Sequence, residues 1–218
     1  MIEPYLHRLN KQKIILACNS PRRIELLQKT GIRFDSFPNQ LTKKLKPDSF
    51  KSIADFAMAV AEGKALSVLE ACKTVGEIPP NLVIGVETVA CKERKIYGKP
   101  SSKEEACFIL RNLSGCTHSV ITGVCLMFPA ARNSEWLYDV KSFYEETFVT
   151  MSELSAKIIT AYVSTGQPMD ELGAYGMQDK GATIIKRIDG DFSNAVGFPV
   201  HRFCYELCEL IECKKTFR

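Results

Sequence analysis

Three residue groups in this chain have types and spacings suited to handling phosphate. The first is Asn19-Ser20-Pro21-Arg22-Arg23, which follows the short apolar run Ile14 to Cys18. Ser20 reads as a helix N-cap and Pro21 as the first helical residue. A helix N-terminus presents N–H groups without intrahelical partners and a partial positive charge, so it attracts phosphate. Two successive arginines add planar donors matched to phosphate oxygens. A capped helix with two solvated arginines is the competing reading. The second group is Lys64, which shares a helical face with Ala57, Val60 and Val68. Such a lysine either snorkels to water or faces a ligand as a point charge. The third is Glu87-Thr88, directly after the apolar run Leu82 to Val86. A carboxylate leaving a buried strand needs a partner or a metal, unless the strand end already lies in solvent.

Two further segments are weaker signals. Gly98-Lys99-Pro100 holds a lysine between two backbone-restricting residues and reads first as a turn. Gly173-Ala174-Tyr175-Gly176-Met177-Gln178 is a glycine-rich loop in which Gln178 could pair with a base edge. The histidines at 7, 118 and 201 are scattered, so no metal triad is visible.

The elements that must carry these residues alternate between strand and helix patterns, which predicts an α/β fold. Strands are expected over 14–18, 82–86, 96–97, 117–128, 140–151 and 183–188. Helices are expected from Ser20 to Gly31, over 52–72 and 101–113, from a Ser152 cap to about Thr165, and after Pro199. The chain has 218 residues, enough for one core or one domain in two lobes. A formal charge of +4 suits an anionic small molecule and is too small a surplus to indicate nucleic acid. No apolar run is long enough to span a membrane, and residues 1–13, read as an N-terminal extension, lack a signal-peptide core. The cysteines number nine, an odd count with no Cys-x-x-Cys pair, which argues against a disulfide framework or zinc site. A reducing compartment, most simply the cytoplasm, is the expectation.

Taken together, these segments resemble the Maf family of nucleotide pyrophosphatases. The likeness rests on Ile15 to Leu27, Val83-Ile84-Gly85-Val86-Glu87-Thr88-Val89, Tyr97-Gly98-Lys99-Pro100, Leu113 to His118, Gly173 to Gln178 and Val196-Gly197-Phe198-Pro199. The resemblance implies a mixed, twisted sheet with flanking helices, in two lobes around a central cleft. It also implies hydrolysis of a nucleoside triphosphate to the monophosphate and pyrophosphate, assisted by Mg²⁺ or Mn²⁺. By motif position, Ser20, Arg22, Arg23, Lys64 and Lys99 would hold the triphosphate. Glu87 would be the general base and a metal ligand. Arg22, Thr88 and Gln178 match positions linked to substrate choice, and the Ser-Pro-Arg-Arg form with Gln178 looks like the branch preferring dTTP and UTP. Homodimers are usual in the family, so self-association is an expectation from the resemblance.

The chain departs from the family pattern at two acids. The family usually has Asp at the position of Glu87 and commonly Glu at that of Asp35. One extra methylene displaces a carboxylate by about one C–C bond, a shift able to cost on the order of 100-fold in rate. The exchange of lengths suggests that Asp35 and Glu87 face one metal ion and compensate for each other. Ser36 to Leu45 is also basic where relatives tend to be acidic, which weighs against metal ligation from that loop. Two other functions remain open: an inosine/xanthosine triphosphate pyrophosphatase, and a nucleotide-binding regulatory protein of septum formation with vestigial catalysis.

Overall fold

The computed structural model describes residues 1–38, 45–130 and 136–214. Among these, seven strands form one mixed sheet with helices packed on it. Helix α1 (Leu6–Leu9) precedes strand β1 (Ile14–Ala17), and α2 (Pro21–Gln28) leads to the short β2 (Asp35–Ser36). The long helix α3 (Ile53–Thr74) is followed by β3 (Leu82–Lys92), β4 (Lys95–Tyr97) and α4 (Lys103–Leu113). Strands β5 (Thr117–Pro129) and β6 (Tyr138–Met151), helix α5 (Ala156–Ser164), strand β7 (Ile185–Asp189) and helices α6 (Phe192–Val196) and α7 (Val200–Lys214) complete the order. The sheet runs β2-β1-β3-β5-β6-β7, with β4 on β3. β1 is parallel to both β2 and β3, whereas β4 and β7 pair antiparallel with β3 and β6.

The chain divides into two compact units, residues 1–87, 122–145 and 197–218 in the first, and 88–121 and 146–196 in the second. The first unit has a core of Ile15, Ala17, Val83, Cys125 and Met127 from the strands against Ala61, Ala65, Val68, Leu69 and Cys72 from α3. Alanines at 57, 61 and 65 on the buried face of α3 allow a close approach to the sheet. Glycine is required opposite them: a Cβ on Gly85 would lie 2.0 Å from the Ala61 carbonyl oxygen, and one on Gly123 would lie 2.4 Å from the Ala57 carbonyl carbon. The first thirteen residues belong to this unit, where Ile2 and Leu9 are buried and Asn10 bonds the backbone of Gly31 and Arg33.

The second unit packs α4 (Ala106, Ile109, Leu110, Leu113) with α5 (Ile159, Tyr162, Val163) over Val120, Val149 and Met151. The loop residues Ala174, Tyr175 and Met177 are buried in that same core.

The periodicity locates most elements, with informative differences. Ser52 does cap α3, accepting from the Asp55 N–H. The cap of α5 is Ser155, which accepts from the Ile158 N–H, and β6 extends through Met151 close to Ser152. The apolar run at 82–86 continues as strand to Lys92, because buried residues Val89, Ala90 and Cys91 follow Glu87. The expected strand at 183–188 starts at Ile185, after a 3-10 segment over Asp179–Ile184. Within the basic stretch after Asp35, residues 39–44 lie outside the described residues. The cysteines are all free; burial pushes the Cys91 thiol up to about 11 and that of Cys125 up to about 12, as expected of inert core residues. Among the described residues no helix is long and apolar enough to cross a membrane.

Candidate functional site

In the first unit the candidate residues gather at the carboxyl end of β1, beside the middle of its parallel neighbour β3. Open parallel sheets bind ligands in this position. Register pairs Ala17 with Gly85, so the turn Cys18-Asn19-Ser20 leaves the sheet beside Val86-Glu87, where β3 runs on past the end of β1. Ser20 is the N-cap of α2, with extended backbone (φ −69°, ψ 118°), yet its hydroxyl makes no capping bond. Its backbone N–H is instead given to the Cys18 Sγ at 3.2 Å. The hydroxyl is therefore not committed to the helix it precedes.

Arg23 does not extend into solvent. Its Nε donates to the Gly197 carbonyl at 3.0 Å, and a terminal nitrogen reaches the Val86 carbonyl at 3.4 Å and the Cys18 sulfur at 3.5 Å. These contacts give the Val196-Gly197-Phe198-Pro199 motif a physical role. Gly197 has φ +131°, a region that favours glycine, and presents its carbonyl to the guanidinium. Phe198 beside it is fully buried against Phe203, which anchors the turn. Arg22, the preceding residue on α2, is half-buried.

Lys64 stands one turn beyond Ala61, whose carbonyl packs tightly over Gly85 of β3. Its side chain is 16% exposed and does not snorkel. The ammonium donates to the Val86 carbonyl at 3.3 Å and forms an ion pair with the Glu87 carboxylate. Glu87 thus sits within a buried strand with a partner, as the cost of desolvating a carboxylate requires. The Val86 carbonyl is shared by two cations, Lys64 and Arg23.

Asp35 lies elsewhere on the sheet. It pairs with Ile15, and Ile15 pairs with Val83, with β2 and β3 on opposite sides of β1. Glu87 is four residues farther along β3 than Val83. At about 3.3 Å per residue and about 4.8 Å per strand, the two backbones stand about 16 Å apart. Metal–oxygen bonds of about 2.1 Å do not close that span for an Asp and a Glu side chain. The expectation that Asp35 and Glu87 share an ion is corrected by the register: Asp35 is an exposed residue at the start of β2.

The other candidates belong to the second unit. Thr88 is buried, 3% exposed, on β3. Lys99 is exposed after β4, and the Gly98 carbonyl accepts the Gly173 N–H at 3.1 Å, tying this turn to the glycine-rich loop. Gln178 is half-buried at the end of that loop, with no capping bond from its side chain. The loop is held from three directions. Tyr175 shares a 2.5 Å hydrogen bond with His118 Nε2, Tyr162 accepts the Gly176 N–H at 3.3 Å, and Gln167 donates to the Gln178 carbonyl at 3.4 Å. Burial, and then the Lys92 charge, lower the His118 pKa to about 4, so this imidazole is neutral near pH 7. Burial raises the Tyr175 phenol above its ordinary value.

Sequence spacing does not reveal Cys18, Gly197 or the Val86 carbonyl as parts of the first cluster. Only the Val196–Pro199 motif hinted at the contact that joins Arg23 to a residue 174 positions away.

Among the described residues no group of three or more His, Cys, Asp or Glu gathers to hold a metal. A cage made wholly of protein ligands is absent from them. A single carboxylate is nevertheless a normal protein share for Mg²⁺, which takes its remaining ligands from substrate phosphates and water. Glu87, a carboxylate 22% exposed, fits that donor set once its ion pair with Lys64 opens.

A family model described as Maf-like protein matches residues 13–210. The human "Probable bifunctional dTTP/UTP pyrophosphatase/methyltransferase protein" is 38% identical over 95% of this chain and 33% of its own length. The dTTP/UTP pyrophosphatase of Bacillus anthracis is 38% identical over 90% of this chain and 94% of its own. That of Caldicellulosiruptor saccharolyticus is 36% identical over 88% and 91%. The chain therefore spans about a third of the human relative and nearly all of the bacterial ones. The solved structure of the Staphylococcus aureus Ham1 protein is 13% identical, with a TM-score of 0.48 over 94% of this chain and 100% of that one.

Proposed function

The chain belongs to the Maf-like protein family, and on that premise we propose that it hydrolyses nucleoside triphosphates, dTTP and UTP first among them, to the monophosphate and pyrophosphate. The observation that carries this reading is the Lys64–Glu87 pair beside Arg23, where β1 ends against the middle of β3. It puts an acid able to take a proton next to cations able to take a phosphate.

The substrate's phosphates bind at the start of α2, where Arg22 and Arg23 supply guanidinium donors and Ser20 its uncommitted hydroxyl. The braces on Arg23 fix its plane before substrate arrives, which reduces the ordering cost of binding. Lys64 and Lys99 add point charges. The Glu87 carboxylate accepts a proton from water as the water oxygen attacks the α-phosphorus. The bond from that phosphorus to the bridging oxygen breaks, and pyrophosphate departs with the electron pair. Arginine and lysine charges offset the negative charge that grows on the leaving oxygens, each contributing roughly 2–4 kcal/mol in a preorganised site. A divalent cation, held by Glu87 together with substrate phosphates, would supply further neutralisation of phosphate charge. Thr88 and Gln178 select the base, Gln178 through its amide.

The test is pyrophosphate release by purified protein with Mg²⁺ or Mn²⁺ across dTTP, UTP, CTP, GTP, ITP and XTP. Equimolar monophosphate and pyrophosphate from dTTP and UTP is the expected result. Preference for ITP and XTP would transfer the chain's activity to inosine and xanthosine nucleotides. Nucleotide binding without turnover on any of them would make it a binding protein.

A further inference from the structure

The Lys64 ammonium lies against two oxygen ligands of the kind a divalent ion takes, the Glu87 carboxylate and the Val86 carbonyl. A carboxylate oxygen that pairs with Lys64 is not simultaneously available to an ion at the same position. Arg23 holds the same carbonyl from another direction, and α3 cannot recede from β3 without opening the contact of Ala61 over Gly85. Lys64 is thus presented to Glu87 by rigid elements and does not reach it by chance from a mobile surface.

We propose that Lys64 is a built-in competitor of the divalent ion: its ammonium occupies Glu87 until a triphosphate draws it away, so the ion gains the carboxylate only together with nucleotide. This inference rests on the reading of Glu87 as a metal ligand given above. It adds an order to the site. Phosphate oxygens compete for Lys64, and the pair opens as they take it. The ion then enters as a metal–nucleotide complex, and the protein by itself binds the ion weakly.

The experiment is a Mn²⁺ titration of nucleotide-free protein, read by the electron paramagnetic resonance signal of free Mn²⁺. Lys64→Met and Lys64→Gln are compared with wild type, the second variant guarding against a fold defect in the first. Removing a half-buried ion-pair partner should tighten Mn²⁺ binding about tenfold or more. Adding Glu87→Gln to either variant should abolish the gain. Lys13→Met serves as the charge control. Lys13 pairs with Glu77 and precedes β1, at the strand end opposite the site, so its loss should leave Mn²⁺ binding unchanged. Mn²⁺ affinity that ignores Lys64 but depends on Glu87 overturns the competition and leaves Glu87's role standing. An equal gain from Lys13→Met, or a gain that survives Glu87→Gln, also overturns it. Absence of Mn²⁺ binding in every variant overturns both the competition and the metal-ligand role. A failure of nucleotide turnover instead strikes the proposed function alone.

Discussion

The strand-end cluster of the first unit and the glycine-rich loop of the second are held by opposite kinds of interaction. In the cluster, charged side chains meet backbone carbonyls and one another: Arg23 on Val86 and Gly197, Lys64 on Val86 and Glu87. In the loop, two bonds between neutral groups lie inside a core, Tyr175 with His118 and Tyr162 with the Gly176 N–H, and at its half-buried end Gln167 holds the Gln178 carbonyl. Charges that remain partly exposed can exchange partners when an anionic ligand arrives. A loop buried on neutral hydrogen bonds keeps its shape, because each broken bond would leave a buried polar group unsatisfied. The first arrangement suits chemistry and the second suits discrimination.

The largest expected effect concerns the charged cluster. Glu87→Gln should lower kcat on the order of 1000-fold, within the usual range for losing a positioned general base, while the fold survives; stopped-time pyrophosphate assays and circular dichroism check the two halves. Gly85→Ala comes next. Its Cβ would sit 2.0 Å from the Ala61 carbonyl oxygen, so α3 must move and carry Lys64 with it. Overpacking of this kind should cost about 3 kcal/mol in urea unfolding and reduce turnover as well. A stable, fully active variant would separate the cluster from the packing that is said to build it.

The neutral loop makes a pH prediction. In the unfolded chain His118 titrates near 6.5, and in the folded protein near 4. Between those values the unfolded chain binds more protons. The contribution of His118 to stability is therefore complete above about pH 6.5 and is lost as pH falls toward 4. The loss is on the order of 3 kcal/mol, and His118→Gln should flatten that slope in urea unfolding at pH 7 and 4.5. The smallest effect is expected at Asp35. Asp35→Asn should leave kcat/KM for dTTP within about threefold of wild type, since surface changes away from such sites are usually minor. A large loss would reinstate Asp35 at the site.

Much of this was legible from the residues. The strand–turn–helix at Ile14 to Gln28, the helix bearing Lys64 and the start of β3 follow from local pattern, although the pattern ended that strand at Val86 and the structure carries it through Glu87 to Lys92. The direction of Lys64 did not, because a lysine on an apolar stripe has two outcomes and only the packing of Ala61 over Gly85 chooses between them. Ser20 occupies the predicted cap position without making the cap bond, a difference that spacing does not encode. The contacts of Arg23 join residues distant in sequence. Asp35 looked like a partner for Glu87 on chemistry, and the strand register separated them. Local periodicity locates elements; the register and the close approaches between them decide which side chains meet.

The division between chemistry and discrimination is tested most directly by steady-state kinetics of Glu87→Gln and Gln178→Ala on dTTP, UTP and CTP in parallel. The predicted result is that Glu87→Gln lowers kcat equally on all three nucleotides, leaving their ratios unchanged, while Gln178→Ala keeps turnover and alters the ratios. Turnover lost on every base in Gln178→Ala, or base ratios altered by Glu87→Gln with kcat retained, would contradict it.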